Sequence, residues 1–177
     1  ASGILTDASQ VTAALLDEEG ELLHYGKVGE RDVESSKVTI PAGLSVGSYS
    51  LYLFAEEVND KDQTDYASAL GTAIPIQVIT AIEDAAVTGI AAPVGGDVLE
   101  PTAACSTTGV GSISAVTWSS NGTAAGQSAD YHTAYTASVT LTPAEGYGFP
   151  ADITKADVTV NGETAASVTL ETDGTLT

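Results

Sequence analysis

One cysteine, no methionine, one tryptophan and two histidines in 177 residues leave little material for redox or metal chemistry. The lone Cys105 excludes an intrachain disulfide framework, and one thiol with two imidazoles cannot assemble the usual zinc sites. Basic residues are also scarce. Five Lys plus Arg stand against 24 Asp plus Glu, a formal net charge of −19. The imbalance runs through the chain, with 4 basic against 13 acidic residues in 1–80 and 1 against 11 in 81–177. A surface of that sign repels phosphate backbones and anionic lipid, which argues against nucleic-acid partners and membrane-surface binding. No apolar run approaches the ~20 residues of a membrane span, and no basic region precedes an apolar one at the N-terminus. With no initiating Met, the sequence reads as an internal piece of a longer chain, trimmed of signal and anchor.

What is present points to β-structure. Charged residues make up 16 % of the chain, where ~25 % is usual. Ala, Thr, Ser, Gly and Val fill the gap, a mixture poor for helices. A hydrophobic share of 43 % is enough for packed cores. In the first part, Ser9 could cap a helix through Leu15 and Leu16. A hairpin of Val11–Leu16 and Glu21–Val28 around Asp17-Glu18-Glu19-Gly20 fits the downstream β pattern better. Val38-Thr39-Ile40 reads as a short strand stopped by Pro41. Tyr49, Leu51, Leu53 and Ala55 alternate with Ser50, Tyr52, Phe54 and Glu56, a strand with one buried face. Val58 to Ala69 reads as a polar, acidic loop, and Ile74, Ile76 and Val78 as a last strand at an edge, because Pro75 cannot donate to a ladder.

Thr80 to Ala85, short and without Gly or Pro, reads as a domain boundary that restricts bending. Beyond it, Val87–Ala92, Thr102–Ser106 and Ile113–Ser119 are strand candidates. Tyr135, Ala137, Val139 and Leu141 alternate with Thr136, Ser138, Thr140 and Thr142. Val158 and Val160 precede Asn161-Gly162, the strongest short hairpin signal, and Val168 and Leu170 precede Asp173-Gly174, read as a turn of the same type. Only Thr175, Leu176 and Thr177 remain for a return strand, so the second domain is expected to be truncated in its last strand. Short strands joined by Gly, Pro and Asn turns predict an all-β protein of two tandem immunoglobulin-like β-sandwich domains. The first, 1–80, is immunoglobulin-like or fibronectin-like, and the second is 81–177.

Candidate functional residues are few. Cys105, followed thirteen residues later by Trp118, and Tyr135 imitate half of an antibody-type disulfide site. With no partner sulfur, Cys105 is expected to pack as a small hydrophobe near Trp118. Tyr49 and Tyr135 each open a strand after a turn, where a phenol can bury its ring and hydrogen-bond the backbone around the corner. Asn59, Asp60, Asp62 and Asp65 could offer oxygens to calcium, with Glu83 and Asp84 as further donors. The spacing is not an EF-hand loop, and a solvated acidic loop is the expected reading. Tyr52, Phe54, Tyr131 and Tyr147 are the aromatic candidates for stacking on a sugar. Glu56 and Glu57, adjacent on one strand, point to opposite faces and cannot converge as a glycosidase pair. His24 and His132 lack a Ser or Cys partner. Lys37 or Lys155 could form an isopeptide bond only from a buried Lys-Asn-acid trio.

Val87-Thr-Gly-Ile90, Val116-Thr-Trp118, Ala134-Tyr-Thr-Ala-Ser-Val-Thr-Leu-Thr142 and Gly146-Tyr-Gly-Phe149 together resemble the repeat modules of large Gram-positive surface proteins. Gly47-Ser-Tyr-Ser-Leu51 and Thr64-Asp-Tyr-Ala-Ser-Ala-Leu70 resemble a module commonly found just before such repeats. The resemblance implies an extracellular, wall-associated stalk or adhesion segment. It carries no catalytic residues or cofactor, and its partners would be neighbouring domains of the same chain and a host or cell-wall glycan or protein. A carbohydrate-binding module is the rival reading, and an enzyme is not expected.

Overall fold

The computed structural model describes residues 10–30, 37–59, 63–67 and 71–177, with Glu30, Glu57, Val58, Asn59 and residues 63–67 described by backbone alone. The chain divides into two compact units, Ala1–Val78 and Ile79–Thr177. Among the described residues both are built of strands, with one 3-10 turn at Lys155–Asp157 and no α-helix. The chain is therefore all-β with several sheets, consistent with the β-sandwich class.

In the first unit, β1 (Gln10–Leu16) pairs antiparallel with both β2 (Leu22–Glu30) and β3 (Gly47–Asn59). The β1–β2 turn closes as the sequence suggests. Gly20 adopts φ 83, a left-handed value that suits glycine, and Asp17 accepts from the Glu21 amide through its side chain at 2.7 Å. The far edge of β3 carries two strands in line. β5 (Ile74–Val78) pairs with Gly47–Leu51, and β4 (Gln63–Ala67) pairs with Glu56–Asn59. Within the expected acidic loop from Val58 to Ala69, Gln63–Ala67 is thus a polar strand that ends the sheet's order among the described residues. Alternation turns Ala13, Leu15, Tyr49 and Leu51 to one side, where Val28, Val38, Ile40, Leu44, Leu53, Ile76 and Val78 pack on them. Burying a leucine such as Leu15 contributes roughly 1.5–3 kcal/mol. Val38-Thr39-Ile40 belong to no strand; the two apolar side chains dock on the core while their backbone joins no ladder among the described residues.

The second unit begins at Ile79, one residue before the expected boundary segment, which it therefore contains. β6 (Thr80–Ala81) pairs in parallel with β14 (Tyr147–Gly148), and Ile82 is buried in this unit's core, so Thr80–Ala85 is not a free linker. β7 (Ala85–Thr88) lies between β8 (Ala104–Cys105) and β15 (Val158–Val160), and β15 continues through Asn161-Gly162 into β16 (Glu163–Thr164). Asn161 (φ 50) and Gly162 (φ 87) both take the left-handed conformations of a type I′ hairpin. Asn121 (φ 49) and Gly122 (φ 76) repeat it between β10 (Thr117–Ser120) and β11 (Thr123–Ala124), a turn the sequence reading passed over.

Ile113–Ser119 and Tyr135–Leu141 are not single strands. β9 (Val110–Ile113) pairs with β13 (Leu141–Pro143), and β10 pairs with β12 (Thr136–Ser138), in separate sheets. The two ribbons join at a bulge, where Ala115 and Val116 face the single Val139. There the Ser114 amide donates to Thr140 O at 2.8 Å, and Ser114 Oγ accepts from the Thr140 amide at 2.9 Å, replacing a main-chain acceptor. The core gathers Ile82, Ala85, Val87, Leu141, Phe149, Val158, Ala165 and Leu176. At Asp173-Gly174 only the glycine has positive φ (84), and the Gly174 amide donates to Glu171 O. This is a type I turn ending in a left-handed glycine rather than a second type I′ turn. It returns Leu176, 2 % exposed, to pair with Leu141.

Candidate functional site

The one charged side chain buried among the described residues is Glu56, 2 % exposed. Pairing explains its company. Gln10 stands opposite Glu56, Thr12 opposite Phe54, and Ala14 opposite both Tyr52 of β3 and Tyr25 of β2, so these side chains share the face away from the apolar core. Glu56 Oε2 accepts from Thr12 Oγ1 at 2.5 Å and from Gln10 Nε2 at 3.2 Å, while Oε1 accepts from the Tyr25 hydroxyl. Thr12 is fully buried, and the Tyr25 and Phe54 rings tilt against each other at 5.9 Å between centroids.

Burial pushes the Glu56 carboxyl up, but hydrogen bonds from Thr12, Tyr25 and Gln10 outweigh it and hold the group below the ordinary glutamate range. A carboxylate so held is a poor proton acceptor at neutral pH, since a general base works best with its pKa near the operating pH. What the cluster does is join three strands through side chains. Gln10 and Thr12 come from β1, Tyr25 from β2 and Glu56 from β3.

The other polar groups that stand out also serve the backbone. The Tyr49 hydroxyl donates to Ser45 O at 2.7 Å, the corner bond expected of it. Tyr135 uses its oxygen in the opposite sense, accepting from the Asp130 amide at 2.8 Å. Trp118 Nε1 donates to Glu100 O at 2.8 Å. Asp157 accepts from the Thr154 hydroxyl at 2.7 Å and from its amide at 2.8 Å, closing a capping box; these bonds, the hydroxyl's first, lower its pKa. Asp173 is lowered in the same way by the Thr175 amide and hydroxyl.

Asp60 and Asp62 lie outside the described residues, while Asn59 ends β3 and Asp65 lies within β4, both described by backbone only. Among the described residues no three His, Cys, Asp or Glu side chains converge to hold a metal ion. Glu83 shares a shallow pocket of about 240 Å³ with Asp152 and Asp157 in the second unit, but Asp157 is already engaged by Thr154. Tyr52 and Phe54 are half-buried beside the Glu56 cluster. Tyr147 is half-buried, with Gly109 against its ring and the second unit's core packed beside it. Tyr131 alone is open, at 74 % exposure.

Cys105 packs on the second unit's core from β8, while Trp118 stands on β10 in another sheet. Lys37 and Lys155 are exposed, which removes the buried lysine that an isopeptide bond requires. A cleft of about 540 Å³ lies between Asp17, Glu18, Glu19, Leu23, Val46 and Ser48 in the first unit. It gathers three carboxylates with the hydroxyl residues Ser45, Ser48 and Tyr49 and no histidine; Glu18 already accepts from the Ser48 amide at 3.2 Å, and the Tyr49 hydroxyl donates to Ser45 O. Sequence reasoning missed the Glu56 cluster because the register that sets Gln10 opposite Glu56 is a long-range property. The available signal was the polar parity of Gln10 and Thr12 ahead of an apolar run. Among the described residues no helix is long and apolar enough to cross a membrane. Comparison with protein-family models, with curated proteins and with solved structures finds no match to this chain.

Proposed function

We propose that this chain is a non-catalytic stalk or adhesion segment of an extracellular bacterial surface protein, built from two immunoglobulin-like modules in tandem. The observation that carries the reading is the commitment of its polar side chains to holding strands together. Glu56 ties β1, β2 and β3, and Tyr49, Tyr135 and Trp118 close corners onto the backbone. Cross-strand ties of this kind suit a segment under load, and a uniformly acidic surface keeps neighbouring copies apart.

Stretching single molecules of the chain between two handles tests this. Two cooperative unfolding steps are expected, with length gains of about 25 nm and about 33 nm for 78 and 99 residues at ~3.6 Å each, less the folded lengths. Extension without force peaks contradicts the stalk reading. The carbohydrate-binding alternative needs several exposed rings on one surface. With Tyr52, Phe54 and Tyr147 half-buried, it rests on Tyr131 alone, and binding of neutral oligosaccharides on a glycan array would revive it.

A further inference from the structure

The second unit exposes four large apolar side chains, Ile79, Val94, Val98 and Tyr131, and three of them fall in two adjoining loops. The segment around Gly95-Gly96 runs beside Ala129–Tyr131. The Gly96 amide donates to Ala129 O at 2.7 Å, the Ala129 amide to Asp97 O at 2.8 Å, and Val98 bridges to Ser128. The Tyr131 ring lies across the two glycines. A Cβ at Gly95 would stand 2.7 Å from Tyr131 Cδ1, and one at Gly96 would stand 2.9 Å from the hydroxyl oxygen, so opposite edges of the ring rest on bare backbone. Both positions must therefore be glycine for the ring to lie there, and Gly96 also takes φ 90, which a side chain rarely adopts. The ring rests on the two glycines yet remains 74 % exposed, and Val94 (60 %) and Val98 (63 %) are exposed on the same segment as those glycines. An aromatic fixed in this way meets a ligand with little further loss of freedom.

We infer that this ridge is a docking surface for a protein segment that presents arginine among apolar side chains. Charge chooses the partner. The unit carries 11 acidic residues against Lys155 as its single basic one, and Asp97 and Asp130 sit in the two loops that frame the ring. A guanidinium stacks on a tyrosine face and pairs with carboxylates, while its methylene stem lies along valines such as Val94 and Val98. A neutral sugar would gain nothing from that field, and an acidic peptide would be repelled. This surface is separable from the load-bearing role, since it stands on two loops of the second unit.

The test titrates the intact 177-residue chain, by amide NMR, with a decapeptide of alternating arginine and leucine. Parallel titrations use the same peptide with citrulline or glutamate in place of arginine, and neutral hexose oligomers. The arginine peptide is expected to saturate shifts at Gly95, Gly96, Asp97 and Tyr131, and added salt should weaken it. Tyr131→Ala should loosen binding about fivefold, and Asp97→Asn with Asp130→Asn should remove most of the salt dependence, all with unchanged melting temperatures. Tyr131→Leu, which keeps the apolar cover but not the ring's π face, should bind as poorly as Tyr131→Ala. Shifts scattered over the whole acidic surface and indifferent to Tyr131, equal binding of the citrulline peptide or the hexoses, or no binding at all would overturn the inference.

Discussion

Replacing Glu56 with glutamine keeps the side chain's shape and removes its charge, and the consequences follow from three hydrogen bonds. The carboxylate accepts from Thr12, Gln10 and Tyr25 at a position 2 % exposed. A glutamine supplies one acceptor oxygen and an NH2 group, so either a hydroxyl must turn from donor to acceptor, losing its charge-assisted bond, or Gln10 faces another donor. Hydrogen bonds to a charged group contribute about 1.5–3 kcal/mol each, and a donor left unsatisfied costs a similar amount. With partial relaxation toward Tyr25, which is half exposed, Glu56→Gln should destabilise the first unit by about 2–3 kcal/mol. For a domain of this size, that is a fall in melting temperature of roughly 8–24 °C.

The effect also carries a pH signature. The folded pKa of Glu56 lies below the ordinary glutamate value, so the ionised group stabilises the fold above the unfolded pKa of ~4.3. That contribution is lost as pH falls through the lower folded value. Thermal melts from pH 7 to pH 2.5, with hydrogen exchange at the β1 and β3 amides to assign the transition, should show the wild-type and Glu56→Gln curves converging in acid. Asp157 and Asp173, also lowered, are common to both proteins and cancel in the comparison. Equal stability at pH 7, or a gap of constant size down to pH 2.5, would refute the reasoning.

Three further outcomes are expected from single substitutions. Leu176→Ala empties a site 2 % exposed and removes the side chain that closes the core beneath Leu141. Urea titration should show about 2–5 kcal/mol lost. Tyr49→Phe deletes only the bond to Ser45 O and should cost about 0.5–1.5 kcal/mol with the sheet intact by circular dichroism. Gly111→Ala sets a Cβ 3.0 Å from the Ala144 main chain, where no side chain can swing aside, and should cost about 1–3 kcal/mol in the same titration.

Local chemistry made much of the fold readable. The Asp17–Gly20 turn, the alternation from Tyr49 to Ala55 and the Asn161-Gly162 hairpin each depend on neighbours within a few residues. The two tyrosine-led segments diverged for a physical reason. Tyr49–Ala55 runs through one continuous strand, whereas the same pattern from Tyr135 is cut at Val139, because an unbulged ribbon would stay in one sheet. The bulge at Ala115-Val116 and the serine bond at Ser114 carry no periodic signature.

Polarity misled at Gln63–Ala67, since a strand at a sheet edge needs few apolar residues. The parallel pairs that join Thr80 to Tyr147 and Ala85 to Val158 bring together positions more than sixty residues apart, beyond the reach of pattern reading. Glu56 was visible as an acid on a strand but not as a buried one. Its burial depends on Thr12 and Tyr25 arriving from two other strands. The aromatic candidates separated on exposure, which parity does not determine. Tyr52 and Phe54 are partly covered by neighbours, and Tyr131 stands on glycines.

The force needed to unfold the first unit, compared between the wild type and Glu56→Gln under the same loading rate, tests most directly whether these polar side chains act as clamps rather than as chemistry. A clear drop in rupture force for the step of about 25 nm, with the step of about 33 nm unchanged, is the predicted result. Equal rupture forces would contradict the account, because a carboxylate that joins three strands would then bear none of the load.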